Sequence, residues 1–198
     1  MWSKGDTTAL SGPLIAIAGS RKPADETIRR AKCILSICID RNWCIVSGFA
    51  KGCDRIGHEL AMKRKKHSIG ILGSGLEAEK GVRYTAKTQQ FIENKGCLIS
   101  EYPPTLHTSP YRLVRRNRLI AALCHGIIIL QAGSNSGTMH TARFALALGK
   151  SVATIRPPTT KSTYGGNQTL IDQGVVQLDN RDNVISFLNR LESASAYI

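Results

Sequence analysis

Acid is what this chain lacks most. Of its 198 residues 14 are Asp or Glu, against 27 Lys and Arg, leaving a formal charge of +13. Such an excess favours a polyanionic partner, nucleic acid ahead of an acidic membrane surface; it speaks about partners rather than fold. Aromatic residues are also few, at 6%, so base stacking is at most a modest term beside phosphate neutralisation. No apolar stretch approaches the roughly 20 residues of a membrane span, and the run Leu14–Ala18 is too short for the core of a secretion signal. Cys33, Cys38, Cys44, Cys53, Cys97 and Cys124 contain no CxxC pair. That scatter fits neither a zinc site nor a disulfide framework, and most of these cysteines fall in apolar segments. His58, His67, His107, His125 and His140 form no HxH, HxxxH or HExxH pattern. These absences imply a reducing, cytoplasmic setting, with no metal and no cofactor.

What is present is a rhythm. Short apolar runs recur at Leu14–Ala18, Trp43–Val46, Ser68–Leu72, Cys97–Ile99, Gly126–Leu130 and Val152–Ile155. Between them 25–41, 53–66, 83–95, 110–124 and 138–148 each carry an apolar stripe at helical spacing; 25–41 puts Ile28, Ala31, Ile34, Leu35 and Cys38 on one face. Continuous apolar strands alternating with helices predict an α/β fold: a mostly parallel sheet with helices on both faces. Further on, TLIDQG reads as a short helix closed by Gly174, and 181–192 as a last helix. Residues 12–198 read as a single domain, preceded by a polar, loose tail over 1–11.

Right-handed crossovers bring the strand-to-helix loops to one edge, where ligands of open sheets bind. The first loop, Gly19-Ser20-Arg21-Lys22, joins helix-terminal N–H groups to a hydroxyl and a guanidinium, the donors that suit phosphate. The second holds Ser47, Gly48 and Lys51, with Asp54 behind it as a helix cap in preference to a catalytic carboxylate. The third, around Gly73 and Gly75, is glycine-rich but acidic. Arg112, Arg115, Arg116 and Arg118 crowd the start of the fourth helix, and Ser136, Gly137 and Thr138 form a phosphate-cradle composition at the fifth. The run KRKK at 63–66 suits either a helix C-terminus or a second stretch of backbone track.

Taken together, these loops resemble the core of the DNA-processing protein DprA (Smf) family. IAIAGSRKP is similar to its opening GSR motif, IVSGFAKGCDRIGHELAM to SGxARGIDxxAHxxAL, ILGSGL to GxGL and LISEYPP to SEYPP. RRNRLIAAL resembles RNRIIAGL, SGTMHTARFALALGKSV resembles SGxxxTAxxAxxxGRxV, and GGNQTLIDQGV resembles GxNxLIxxGA; the matches run in order from about 14 to 175. The resemblance implies a Rossmann-like domain, a homodimer, sequence-independent binding of single-stranded DNA, and delivery of that DNA to a RecA-type recombinase. It places Arg21 as a phosphate contact, Lys51 in place of a family arginine, and Asn117 and Arg118 in the RNR motif. Tyr84, Tyr102 and Tyr111 are the nearest stacking platforms.

Two departures stand out. EAEKGVRY lacks the Tyr-Pro and Asn that usually follow GSGL, which puts the contacts of that loop in question. The length leaves no room for the helical and winged-helix appendages of many relatives, so the chain reads as a minimal core. The alternative reading is a nucleotide-binding sensor, or a hydrolase of nucleoside monophosphates similar to the Lonely-guy enzymes, using the same crevice. GSNSGTMHT aligns with the signature of those enzymes, but Thr141 stands where their catalytic Glu belongs. No catalytic residue is therefore assigned, and the sequence reads as a non-enzyme.

Overall fold

The computed structural model describes residues 1–78, 86–158 and 161–195. Its centre is an 8-stranded sheet in the order β1-β5-β4-β3-β2-β6-β7-β8. The strands are β1 Trp2–Gly5, β2 Leu14–Ala18, β3 Cys44–Ser47, β4 Ser68–Leu72, β5 Gly96–Ser100, β6 Gly126–Ile129, β7 Ser151–Thr154 and β8 Val176–Gln177. The helices are α1 Asp25–Asp40, α2 Cys53–Lys63, α3 Ala86–Glu93, α4 Pro110–Leu123, α5 Gly137–Ala147, α6 Gly165–Asp172 and α7 Arg181–Ser195. All pairings are parallel except that of β1 with β5.

The apolar strand runs are continuous because both faces of the sheet are covered. On one face Ala16, Val46, Ile71 and Ile129 pack with Ile120 and Ala121 of α4 and Ala142 and Ala145 of α5. On the other, Ile15, Ile17, Ile45 and Ile128 pack with Leu35 and Cys38 of α1, Ala61 of α2, and Phe187 and Leu188 of α7. Each such Ile or Leu, fully buried, contributes about 1.5–3 kcal/mol. A smaller cluster of Leu72, Leu76, Phe91 and Leu98 lies beneath α3.

The expected α/β class and its six apolar strands are present. The tail is corrected: among residues 1–11, Trp2–Gly5 pairs antiparallel with Cys97–Ser100, and Thr7–Ser11 makes a 3-10 turn that buries Ala9. Asp6 accepts the Thr8 N–H as the cap of that turn and meets His67 at 2.9 Å. Part of the helix expected over 83–95 lies outside the described residues, whereas KRKK falls at the C-terminal end of α2, away from the loop that precedes it.

The chain steps outward from β2 through β3 and β4 to β5, then returns to lay β6 against the free side of β2. The direction of winding reverses there, with Ala18 opposite Ile129, so the loops after β2 and β6 leave the sheet side by side. A crevice at this point is a consequence of the topology.

Candidate nucleic-acid interface

A cleft of ≈ 740 Å³ opens at this switch point. Its wall comes from the loops after β2, β3 and β6, from α4 and the start of α5, and from Ser162 and Thr163, with Ser20, Arg21, Gly48, Asp54, Leu113, Arg116, Asn117, Gln131, Ser136 and Thr138 among the lining residues.

The loop after β2 is braced from both sides. Ser20 N–H donates to Gln131 O at 2.8 Å, and Cys53 N–H donates to Ser20 O at 3.1 Å. Gly52 (φ +80) makes the second contact possible, since a Cβ there would strike Ser20 O and the Arg21 backbone. Ser20 Oγ accepts the Lys22 N–H at 3.0 Å, which leaves its hydroxyl proton free to donate. The exposed Arg21 side chain makes no hydrogen bond or ion pair among the described residues.

Beneath this loop lie two buried charges. Arg116, 5% exposed, donates to Gly48 O at 2.8 Å and to Ile71 O. Asp54, 7% exposed, accepts the Ala50 N–H at 3.2 Å; it braces the loop after β3 instead of capping α2. Burial pushes the Asp54 carboxyl up to about 6, opposed first by Arg116, then by backbone N–H groups, then by Arg21. Burial lowers Arg116 to about 10, with Asp54 working against the shift. The floor thus holds a fixed cation and a carboxyl raised to about 6.

Helix dipoles separate the loops further. α1 has Asp25 and Glu26 in its first turn and α2 has Asp54, so their N-termini are already compensated by acid. The first turn of α5 contains no acid. Ser136 Oγ, just before it, has no partner among the described residues, and the Cα of Gly137 faces open space. Of the helices that follow β2, β3 and β6, α5 is therefore the one whose N-terminus is left open to an anion. Asn117 positions it from α4, donating to Gly137 O at 3.4 Å while accepting Arg116 Nε at 3.1 Å.

Of the residues expected from sequence, Gly19, Ser20, Arg21, Gly48, Arg116, Asn117, Ser136, Gly137 and Thr138 line this one cleft. The others lie elsewhere. Lys22 is exposed beside it, Ser47 is buried on His58, and Lys51 lines a second cavity. Gly73 lies against Leu113 and Gly75 against Pro103 and Pro104, and neither lines the cleft. Arg115 is exposed, and Arg118 pairs with Glu101 and does not line the cleft. Tyr102 is 8% exposed and Tyr111 68%, which leaves Tyr111 as the open platform; Tyr84 lies outside the described residues. Sequence reasoning missed Gln131, whose side chain accepts from Ala24 N–H and the Thr27 hydroxyl and so fixes the start of α1. A lone Gln after a strand gives no signal of that role. Among the described residues no three His, Cys, Asp or Glu side chains cluster as a metal site, and no helix is long and apolar enough to cross a membrane.

Fold and cleft together define a Rossmann-like α/β protein with an anion-receptive crevice at the carboxyl edge of its sheet. The chain belongs to the family described as DNA recombination-mediator protein A, which matches residues 1–189. It is 29% identical to protein Smf of Escherichia coli (strain K12) over 95% of this chain and 50% of that one. Its fold is similar to DNA processing protein A of Streptococcus pneumoniae (TM-score 0.83, 27% identity, 93% of this chain and 64% of that one). DNA processing protein A of Helicobacter pylori, described for its unique single-stranded DNA binding mode, is similar with a TM-score of 0.82 and 27% identity, over 97% of this chain and 86% of that one. The chain spans about half the length of the Escherichia coli relative.

Proposed function

We propose that the cleft binds the backbone of single-stranded DNA without regard to base sequence, and that the chain acts in DNA processing and recombination without catalysing a reaction. The observation that carries this reading is a set of unspent donors converging on one crevice: the Arg21 guanidinium, the Ser20 and Ser136 hydroxyls and the uncompensated N-terminus of α5. Family membership supports it, as does the binding described for the Helicobacter pylori relative. Phosphates enter against Arg21 and Ser136 while Arg116 supplies a fixed field from below. Each phosphate neutralised releases counterions, so affinity falls linearly in log–log with salt. The family resemblance extends the proposal to a homodimer that hands DNA to a RecA-type recombinase in the cytoplasm, in transformation or a related pathway.

The test is an anisotropy titration of labelled oligo-dT, single-stranded and annealed to oligo-dA, at two salt concentrations. Salt-sensitive binding that favours the single strand is the expected result. Wild-type protein with no salt-sensitive binding to oligo-dT would remove the proposal.

One observation favours a second reading, hydrolysis of a nucleoside monophosphate. Thr141, in the place of the hydrolase Glu, is buried on the cleft wall, but Asp54 supplies a carboxyl to the same cleft. A carboxyl titrating near 6 has the acidity of a general acid or base.

A further inference from the structure

At the amino edge of the sheet, opposite the cleft, α1, α2, α5 and α6 end in the same reversal before the next strand. The second residue past the helix cap turns its N–H back to the helix: Trp43 donates to Cys38 O at 3.0 Å and Lys66 to Ala61 O at 3.0 Å, and the same bond follows α5 and α6. The residue just before that donor must take a positive φ, a position that favours glycine. Gly149 (φ +67) and Gly174 (φ +79) fill it after α5 and α6, and Asn42 (φ +62) fills it after α1. After α2 the residue is Lys65 (φ +53), and before β5 the left-handed residue is Lys95 (φ +62).

These two lysines stand on neighbouring turns, because Ser68 of β4 lies opposite Gly96 of β5. Lys66 Nζ donates to Asn42 Oδ1 at 2.7 Å, which ties the turn before β3 to the same group. Lys63, Lys65, Lys66 and Lys95 are all exposed, and none pairs with a carboxylate among the described residues. The acids on these elements are engaged elsewhere: Asp40 pairs with Arg64, Asp6 with His67, and Glu93 accepts from Gln89 at 2.9 Å. A cation suits a helix C-terminus, but Lys63 in the last turn of α2 already meets that need. Nor does the dipole call for lysine at a positive φ. Strain kept at two adjacent turns, where the chain uses glycine at others, marks a surface on which the charge has a task.

We propose that this edge binds a second segment of nucleic-acid backbone, apart from the one in the cleft, an inference that goes beyond the cleft reading above. The cleft opens past the carboxyl ends of the strands, whereas these turns precede the amino ends. The five residues of β4 separate the two edges by about 17 Å at about 3.3 Å each, so one side chain cannot serve both. Lysine ammoniums on flexible stems suit phosphates that present no fixed geometry. The turns 41–43, 64–67 and 94–95 expose no apolar side chain to enter a bilayer, which favours a polyanion in solution over a membrane surface.

The test pairs lysine acetylation of the wild-type protein with titrations of a long oligo-dT. Bound DNA should protect Lys65, Lys66 and Lys95 from acetylation. The triple variant Lys65→Gly, Lys66→Gln, Lys95→Gly should bind about 10-fold more weakly, with the salt slope reduced by about 2, three phosphates at about 0.7 each. Combined with Arg21→Ala, the fold-losses should multiply, as they do for separate sites. Glycine takes a positive φ without strain, so the Tm of the triple variant should not fall. A lower Tm beside the lost affinity would make the lysines structural and overturn the proposal. If the variant does not fold, the acetylation map on wild-type protein decides. Full acetylation in the presence of DNA, with wild-type affinity in the variant, overturns the second site and leaves the cleft reading intact. A variant that loses binding to phosphatidylglycerol vesicles but keeps its affinity for oligo-dT assigns the edge to a membrane and overturns the proposal too. Wild-type protein that binds no oligo-dT overturns both readings.

Discussion

Asp54 and Arg116 are opposite charges buried against the same glycine. A Cβ placed on Gly48 would lie 2.6 Å from Arg116 Nη2 and 2.9 Å from Asp54 Oδ2. Arg116 is committed to Gly48 O and Ile71 O, so the charge on the cleft floor changes with the proton on Asp54.

That proton gives a pH dependence. As pH falls through about 6 the Asp54 carboxyl becomes neutral and the cleft more positive, so affinity for oligo-dT should rise. Asp54→Asn should bind more tightly than wild type at pH 7 and show a smaller rise toward pH 5. Stability follows with a defined sign. The folded carboxyl binds its proton more tightly than the unfolded one, so its contribution is full below about pH 4 and declines as pH rises through about 6. Urea denaturation of both proteins at pH 5 and pH 7 checks it: Asp54→Asn should lose less stability between the two.

Gly48→Ala should cost about 1–3 kcal/mol, the usual range for overpacking a filled site. Two backbone carbonyls anchor Arg116, which limits its retreat. Chemical denaturation measures the loss, and oligo-dT affinity should fall with it.

Arg21→Ala should lower oligo-dT affinity and reduce the salt slope by about 1, as expected for one phosphate contact. Arg118→Ala should have a smaller effect, because Arg118 is held by Glu101 outside the cleft. Titrations at three salt concentrations separate the two. Equal losses would place Arg118 on the DNA path.

Incubated with nucleoside monophosphates, the protein should release no free base by chromatography. Base release by wild type, lost in Asp54→Asn, would instead support the hydrolase reading.

Asn167 is fully buried and connects three segments: Oδ1 accepts Ala132 N–H at 2.8 Å, while Nδ2 donates to Thr154 Oγ1 at 2.9 Å and Leu130 O at 3.3 Å. Asn167→Ala leaves buried backbone groups unmet and should cost about 2–3 kcal/mol. A drop in the denaturation midpoint with unchanged slope would report it.

The strands from β2 to β7 were legible because burial on both faces makes each an apolar run bounded by glycine or charge. β1 was not, because all four of its residues are exposed and its partner lies at the far end of the sheet order from β2. The glycine and serine positions after β2, β3 and β6 were legible because strand-end loops share one edge. The division of labour among Arg115, Arg116 and Arg118 was not. It depends on which side of α4 meets the sheet, and all three carry the same charge within about one helical turn. Asp54 shows the same limit, since the first turn of a helix commonly contains an acid and only its burial sets it apart.

The pairing of Trp2 with Ser100 sets an order of assembly on the ribosome. At about 5–20 residues per second, β1 waits many seconds for its partner strand to be made. The cleft waits longer, because its wall includes Arg21, Ser136 and Thr163. A nascent chain therefore has its positive charge long before it has a place to hold a phosphate. Nucleic acid met during synthesis would be attracted by charge alone, and the proposed selection of a single strand would wait until the segment with Thr163 has been made.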